Sequence, residues 1–174
     1  VPIPSGEISL IDKDGRDVPV FASQVLLESG DHREMFCMDV DLRPVKRVEA
    51  SLRAANAKFI AAMDSLDAVV YVADMQTHEL LFMNSQARET SGAKVGDICW
   101  SALQHNQGGP CSFCTNSLLV DGDGRARPPH VWEFFNSKTD RWYQCRDQAI
   151  RWPDGRLVRL EIATDITGRK MMEE

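Results

Sequence analysis

The sequence predicts an α+β protein whose main domain is a five-stranded antiparallel sheet with its helices on one face. Three observations lead to this prediction. A three-strand segment occurs twice, once near each end of the 174-residue chain, and a helical repeat lies between the two copies. The second copy alone is preceded by two further strands and three short helices, so its elements follow the order β-β-α-α-α-β-β-β. Helices confined to one stretch of the chain are typical of α+β domains with an antiparallel sheet.

The N-terminal copy, residues 1–43, is predicted to form three strands at 7–12, 18–27 and 35–41. Asp14-Gly15 is a strong hairpin signal between the first two strands. Three strands with one apolar face need a partner surface. We therefore interpret this segment as the last strands of a domain, which pack on the second domain, pack on another chain, or stay poorly ordered.

A linker helix is predicted over residues 44–66. Pro44 suits the first turn of a helix. Apolar residues then follow at alternating steps of three and four, with charged residues outside the seam. The seam consists of Val45, Val48, Leu52, Ala55, Phe59, Ala62 and Leu66. This heptad pattern favours a parallel two-stranded coiled coil that joins two copies of the chain. The alternative is one amphipathic helix that packs on its own domain.

The second domain is predicted over residues 67–170, followed by the start of an exit helix at 171–174. Asn84 can cap the first of its short helices, and Ser91-Gly92 can end it. The Asp154-Gly155 turn separates the last two strands. Strands are predicted at 68–73, 80–83, 131–135, 142–152 and 160–165, and helices at 85–90, 97–103 and 111–120.

This domain resembles a PAS sensory domain over about residues 59–174. The resemblance is carried by the strand pair AVVYVAD and LLFMN, by the helix that follows Asn84, and by the closing meander that ends in Asp165-Ile166-Thr167. The first 45 residues resemble the last three strands of a preceding PAS domain, with Asp39-Val40-Asp41 in the place of that ending. The resemblance implies a small cavity between sheet and helices, and a signal-exit motif at Asp165, Ile166 and Thr167. Their side chains can hydrogen-bond to the start of the exit helix and to the sheet edge.

Three further segments resemble a cysteine-bearing subgroup of PAS domains with the pattern CW…LQ…PCxFCTN. They are residues 96–104, 109–116 and 141–148. Members of that subgroup are commonly followed by a GGDEF diguanylate cyclase domain, and related ones by a histidine kinase. Neither the GGDEF motif nor a kinase motif occurs in this sequence. The resemblance therefore implies a sensory and dimerisation module without enzymatic activity of its own, which relays ligand or redox state to an output domain in cis.

The cysteines are the strongest local signal for chemistry. Cys99, Cys111 and Cys114 have the spacing C-x11-C-x2-C, which can place three thiolates on one zinc ion. Cys145, His105 or His130 would supply a fourth ligand, and Cys145 would complete an iron–sulfur cluster. Two alternatives remain open: the cysteines are buried core residues, or Cys111 and Cys114 form a redox pair.

Flavin and haem are not expected. Residues 96–104 also resemble the reactive-cysteine segment of LOV domains, but Trp100 stands where that family has the arginine that holds the flavin phosphate. His105 falls in a predicted loop, which is a poor position for an axial haem ligand.

Charge and composition exclude further classes. The formal net charge is −6, which argues against a general nucleic-acid binder. No apolar run approaches the length of a membrane span, and the N-terminus lacks the features of a signal peptide. We expect a cytoplasmic protein, with a membrane anchor elsewhere in a longer chain as the alternative. The expected partners are a second copy, the output domain and a small-molecule ligand. No nucleophile–base pair or other catalytic constellation is recognisable.

Overall fold

The structure, a computed structural model, describes residues 2–105 and 107–173. The chain divides into two compact units, residues 1–59 and 60–174, and each is described by itself. In chain order, the elements are β1 (Pro2–Ile11), β2 (Asp17–Ser29), β3 (His32–Asp41), α1 (Arg43–Asp64), β4 (Val69–Asp74), β5 (Leu80–Met83), α2 (Ser85–Ser91), α3 (Cys99–Ala102), α4 (Asn116–Leu119), β6 (His130–Asn136), β7 (Arg141–Arg151), β8 (Leu157–Asp165) and α5 (Thr167–Glu173).

The first unit contains a three-stranded antiparallel meander in the order β1-β2-β3, as predicted. β2 and β3 are longer than predicted because pairing continues up to a tight turn in which Gly30 has a φ of 61°. Among the described side chains of this unit, only Val20 and Ala22 are buried. Apolar residues therefore remain exposed along all three strands.

α1 begins one residue before the predicted start and ends two residues before the predicted end. The Oδ1 atom of Asp41 accepts a hydrogen bond from the backbone N–H of Arg43 at 2.9 Å, which satisfies one donor of the first turn. None of the 22 residues of α1 is buried. Along the predicted seam, Val48 is 68% and Leu52 69% exposed, whereas Leu66 lies beyond the end of the helix.

The second unit is built on a five-stranded antiparallel sheet in the order β5-β4-β8-β7-β6. β8 is the central strand, and it pairs with β4 on one side and β7 on the other. Helices α2, α3 and α4 lie over one face of this sheet, where Leu80, Met83 and Leu119 are almost completely buried. The predicted fold class, an α+β domain with its helices on one face, matches this arrangement.

Asn84 connects the helix layer to the sheet, as the predicted cap requires. It is fully buried, and its Oδ1 atom accepts hydrogen bonds from the N–H groups of Ala87 at 2.9 Å and Val70 at 3.0 Å. Its side-chain amide donates to the carbonyl of Ala68 at 2.8 Å. Gly92 ends α2 in the left-handed conformation, with a φ of 72°. The predicted start and stop signals of this helix are both confirmed.

The other helix boundaries differ from the predictions. The predicted helix 111–120 is helical only over Asn116–Leu119, because residues 111–114 form a turn closed by the N–H of Cys114 donating to the carbonyl of Cys111 at 3.0 Å. The predicted helix 97–103 shortens to Cys99–Ala102. α5 begins at Thr167 rather than at residue 171. Of the helices in the described residues, none is long and apolar enough to cross a membrane.

Candidate functional site

A row of polar residues crosses the centre of the five-stranded sheet beneath the helices. Tyr71 on β4 pairs with Glu161 on β8, and Glu161 pairs in turn with Asp147 on β7. Arg159 lies two residues before Glu161, so both side chains leave the same face of β8. The backbone partners of Arg159 are Ala73 and Ala149, and their small side chains leave room for its guanidinium group.

These side chains form one hydrogen-bonded network. The Tyr71 hydroxyl donates to Oε2 of Glu161 at 2.5 Å and accepts from Nη2 of Arg159 at 3.1 Å. The Nε atom of Arg159 lies 3.8 Å from Oε2 of Glu161, which is an ion-pair distance but too long for a hydrogen bond. Tyr71 and Arg159 are only 5% and 6% exposed. The network is therefore held largely out of water.

Asp147 is fully buried on the same face of the sheet, beneath the helices. Its Oδ2 atom accepts hydrogen bonds from the Thr115 hydroxyl at 2.6 Å and from Nε1 of Trp132 at 2.9 Å. Among the residues that the structure describes, none donates to its Oδ1 atom. A buried carboxylate oxygen without a donor is costly. A proton on the neighbouring Glu161 carboxyl group would supply that donor.

The electrostatics of Glu161 favour such a proton. Burial raises the pKa of Glu161 to about 7, and the negative charge of Asp147 acts in the same direction, while Arg159 opposes both. Two buried carboxyl groups on directly paired strands cannot both ionise without cost. Near neutral pH Glu161 is therefore close to its titration midpoint, and small changes around it shift its proton on or off.

A cavity of about 30 Å³ lies between this network and the helices. Arg159 and Glu161 form part of its lining, and an aromatic cluster of Phe113, Trp132 and Phe134 forms another part. The ring centroids of Phe113 and Phe134 are 4.7 Å apart, and those of Trp132 and Phe134 are 5.3 Å apart. A second cavity, of about 50 Å³, shares Tyr71, Phe134 and Glu161 with the first and is otherwise mainly apolar. The site thus combines a buried cation with apolar walls.

Cys99, Cys111 and Cys114 all line the first cavity, so the structure brings the three predicted cysteines together. Nη2 of Arg159 donates to Sγ of Cys99 at 3.8 Å, and Nη1 donates to Sγ of Cys114 at 3.5 Å. Cys145 lies on β7 and lines the second cavity instead. The cysteine-bearing loop is therefore positioned by the charged centre of the sheet.

The two histidines named as fourth ligands lie elsewhere. His105 is exposed beyond α3, and His130 begins β6. Within the described part of the chain, no three His, Cys, Asp or Glu side chains are grouped so that they could hold a metal ion. The structure thus offers no geometry in support of the predicted metal set.

Three of the four cysteines at the two cavities, Cys99, Cys111 and Cys145, are poorly suited to act as thiolates. Burial raises the pKa of Cys99, raises the pKa of Cys111 to about 11, and raises the pKa of Cys145. Thiols with raised pKa values stay protonated at neutral pH, and the protonated form is a poor nucleophile. They are better described as weak hydrogen-bonding groups in the cavity wall.

The predicted exit motif makes the contacts expected of it. Oδ1 of Asp165 accepts a hydrogen bond from the N–H of Thr167 at 2.9 Å, and Oδ2 accepts from Arg141 at 2.6 Å. The Thr167 hydroxyl accepts from the N–H of Trp142 at 3.0 Å, and the N–H of Ile166 donates to the carbonyl of Trp142 at 2.8 Å. The start of α5 is therefore fixed to the first residues of β7.

Sequence reasoning missed the central residues of the site, namely Tyr71, Asp147, Arg159 and Glu161. A signal was present in the alternation of inward-facing and outward-facing residues along β7. In β7, Asp147 shares the inward-facing parity of Tyr143, Cys145 and Ala149, all of them buried. A charged residue at an apolar position of an alternating strand is the feature that should have been noted.

Comparisons with known proteins support the fold. No protein-family model and no curated protein matches the chain. The PAS domain of an HTR-like protein from Haloarcula marismortui matches with a TM-score of 0.52 and 14% identity, covering 70% of this chain and 99% of that one.

Two further solved structures align less well. The E. coli DhaR(N)–DhaL complex has a TM-score of 0.47 and 11% identity, covering 91% of this chain and 60% of that one. An RNA-binding light-oxygen-voltage receptor has a TM-score of 0.44 and 11% identity, covering 98% and 79%. At these TM-scores neither structure supports a conclusion about this chain. The match to the archaeal domain, together with the strand order β5-β4-β8-β7-β6, shows that the five-stranded domain of this chain has the PAS fold.

Proposed function

We propose that this chain is a sensory and dimerisation module in which the state of the buried cavity sets the position of the exit helix α5. The observation that carries this proposal is the course of β8. This central strand places Arg159 and Glu161 in the cavity wall and, four residues after Glu161, places Asp165 in the exit motif. A change at the cavity therefore has only a short, hydrogen-bonded path to α5.

The path has the rigidity that such coupling needs. β8 is hydrogen-bonded along its length to β7, and α5 is attached to both strands through Asp165 and Thr167. A small displacement of β8 against β7 would alter both attachments together. Packed elements of this kind move between discrete arrangements rather than deform gradually, which suits a switch.

Dimerisation is assigned to α1. A 22-residue helix without buried side chains gains little from tertiary packing, and most helical stability in proteins comes from such packing. The seam residues Val48 and Leu52 are about two-thirds exposed in the single chain. A second copy in parallel register would cover them and would carry a signal along the shared axis.

The proposed output is a diguanylate cyclase, and a histidine kinase is the alternative. Support for either comes from the resemblance of the cysteine-bearing segments, and the module itself is proposed to have no enzymatic activity. Signal relay through α5 would be the same in both cases. Cyclic di-GMP synthesis and phosphoryl transfer would distinguish them once a longer chain is assayed.

A second candidate function, a metal-binding or redox-active cysteine module, is favoured by one observation: Cys99, Cys111 and Cys114 line one cavity. The raised pKa values of Cys99 and Cys111 argue against it. Titration of accessible thiols with and without a chelator separates the two candidates. A metal-bound module should show fewer reactive thiols before chelation than after it, and a purely sensory module should show no change.

The relay can be tested by filling the cavity. Cys111 is half-buried in the cavity wall, and Cys111→Met adds two heavy atoms there. Cys37→Met makes the same change at an exposed position of β3. We expect the first variant, but not the second, to change amide hydrogen exchange of Thr167–Glu173 by several-fold. Unchanged exchange in α5 for a folded Cys111→Met protein would refute the proposed relay.

A further inference from the structure

The guanidinium group of Arg159 is buried without enough strong hydrogen-bond acceptors. It has five N–H donors. Their oxygen partners are the Tyr71 hydroxyl at 3.1 Å and Oδ1 of Asn116 at 3.2 Å. Their remaining partners are the thiols of Cys99 and Cys114, which accept only weakly. Neither residues 2–105 nor residues 107–173 provide an acceptor for its Nε atom.

This arrangement is unusual for a purely structural arginine. A buried arginine is normally satisfied by a carboxylate in bidentate geometry. Here Glu161 stays 3.8 Å away and is engaged by Tyr71, and the Oδ2 atom of Asp147 is engaged by Thr115 and Trp132. The donors of Arg159 that face the thiols of Cys99 and Cys114 lie at the cavity instead. A cation with one unpaired donor, and with two donors held only by thiols, can take a stronger acceptor that enters the cavity from outside.

We propose that the cavity binds a small monocarboxylate whose oxygens accept hydrogen bonds from Arg159 and whose apolar part lies among the neighbouring apolar side chains. This inference rests on the proposed sensory function and names the class of ligand. A carboxylate matches the planar, forked donors of arginine better than other common anionic groups of this size. The thiol of Cys99, whose pKa is raised by burial, can add a weak donor to the same oxygens.

The dimensions limit the ligand to short acids. Each water-sized group needs roughly 10–15 Å³ of cavity, so 30 Å³ suits a carboxylate group and little more. The neighbouring cavity of about 50 Å³ has an apolar part formed by Val69, Ala87 and Ala163, beside polar residues such as Thr90 and Asn136, and this apolar part can take a short alkyl chain. Acids of about two to four carbons are therefore the class that the two spaces fit.

Binding should be coupled to a proton. An anion beside Glu161 would raise the pKa of that group above its value of about 7, so the protonated form favours binding. If only that form binds, the affinity should be about tenfold weaker at pH 8 than at pH 6. The titratable groups that face Glu161 or line the same cavities are Tyr71 on β4, Tyr143, Cys145 and Asp147 on β7, Arg159 on β8, Cys99 on α3, and His78, Cys111 and Cys114 in the connecting segments.

The test is calorimetric titration of the full chain with sodium butyrate, sodium acetate and the uncharged isostere butyramide, at pH 6 and pH 8. We expect saturable butyrate binding that is at least tenfold tighter than butyramide binding at pH 6 and about tenfold weaker at pH 8. In Glu161→Gln, which keeps the acceptor for Tyr71, butyrate affinity should no longer depend on pH. Equal affinity for butyramide, or no binding of any probe, would overturn the proposal.

Two controls test the titrating group and the ligand class separately. His78 also lines the first cavity, and loss of the pH dependence in His78→Gln instead of Glu161→Gln would show that the proton is assigned wrongly. The measurement of amide hydrogen exchange in Cys111→Met involves no carboxylate ligand, so it tests the relay separately from the ligand class. A changed α5 in that experiment, together with absent butyrate binding, would refute the ligand class and leave the sensory function standing.

Discussion

Replacing Glu161 by glutamine removes the buried group that titrates near neutral pH while keeping the size and shape of its side chain. The carbonyl of the new side chain can still accept from the Tyr71 hydroxyl, and its amide can donate to the unpaired Oδ1 atom of Asp147. The variant thus imitates the protonated carboxyl group at every pH. Its stability relative to the parent chain should therefore depend on pH.

The sign and size of this effect follow from the pKa of Glu161. Its pKa is about 7 in the folded chain, against an ordinary value of 4.5. Between these values the folded state holds a proton that the unfolded state has lost, so the contribution of Glu161 to stability falls as pH rises. From pH 6 to pH 8 the loss is about 1 kcal/mol, out of about 3 kcal/mol in all. Glutamine cannot titrate, so the variant escapes this loss.

Urea unfolding followed by tryptophan fluorescence measures the difference, since all four tryptophans lie between residues 100 and 152. We expect the stability of Glu161→Gln relative to the parent to increase by about 1 kcal/mol between pH 6 and pH 8. Glu89→Gln, at an exposed position of α2, is the matched control and should show no such increase. A difference that stays constant with pH, or that falls, would refute the assigned titration of Glu161.

Three further predictions concern other parts of the chain. Leu52→Glu should convert a dimer into monomers in sedimentation experiments, whereas Ala54→Glu, outside the seam, should not. A parent chain that is monomeric at high micromolar concentration would contradict the coiled coil. Amides of β2 should exchange faster than those of β4, since the small sheet buries few side chains; strong protection of β2 in a demonstrated monomer would count against the half-domain interpretation. Thr167→Ala removes the hydrogen-bond acceptor for the N–H of Trp142, so amide hydrogen exchange of α5 should increase and the free energy of unfolding should fall by about 1 kcal/mol. Thr164→Ala, at an exposed position of β8, should leave the exchange of α5 unchanged.

Much of the fold could be predicted because each strand carries its own pattern. β5 was predicted with its exact bounds, and the turns around Gly30 and Gly155 have the positive φ values that glycine permits. The Asn84 cap and the exit motif were also predicted. These are local signals, in which the residues that determine the structure lie within a few positions of each other.

The helices were predicted less well for a non-local reason. The predicted helix 111–120 begins only at Asn116, because the Thr115 side chain donates to Asp147, 32 residues away, instead of capping the helix. Nothing in the sequence around Thr115 indicates that partner. Its pairing depends on where the loop meets β7, which only the packed domain decides.

The centre of the site was missed for a related reason. Glu161 meets Tyr71 and Asp147 through the registers of two strand pairs, with partners 90 and 14 positions away. Cysteine spacing attracted attention because it is visible along the sequence. The charged residues that organise those cysteines are distributed over three strands, so their convergence becomes evident only in the sheet.

The central claim is that the protonation state of Glu161 is transmitted to the exit helix, and a carbon-detected NMR titration tests it most directly. The side-chain carboxyl carbon of Glu161 and the backbone amides of Gly168 to Glu173 would be followed in one sample between pH 5.5 and pH 8.5. We predict a Glu161 midpoint near 7 and the same midpoint for the α5 amides. A midpoint near the ordinary value of glutamate, or α5 amides that do not move while Glu161 titrates, would contradict it.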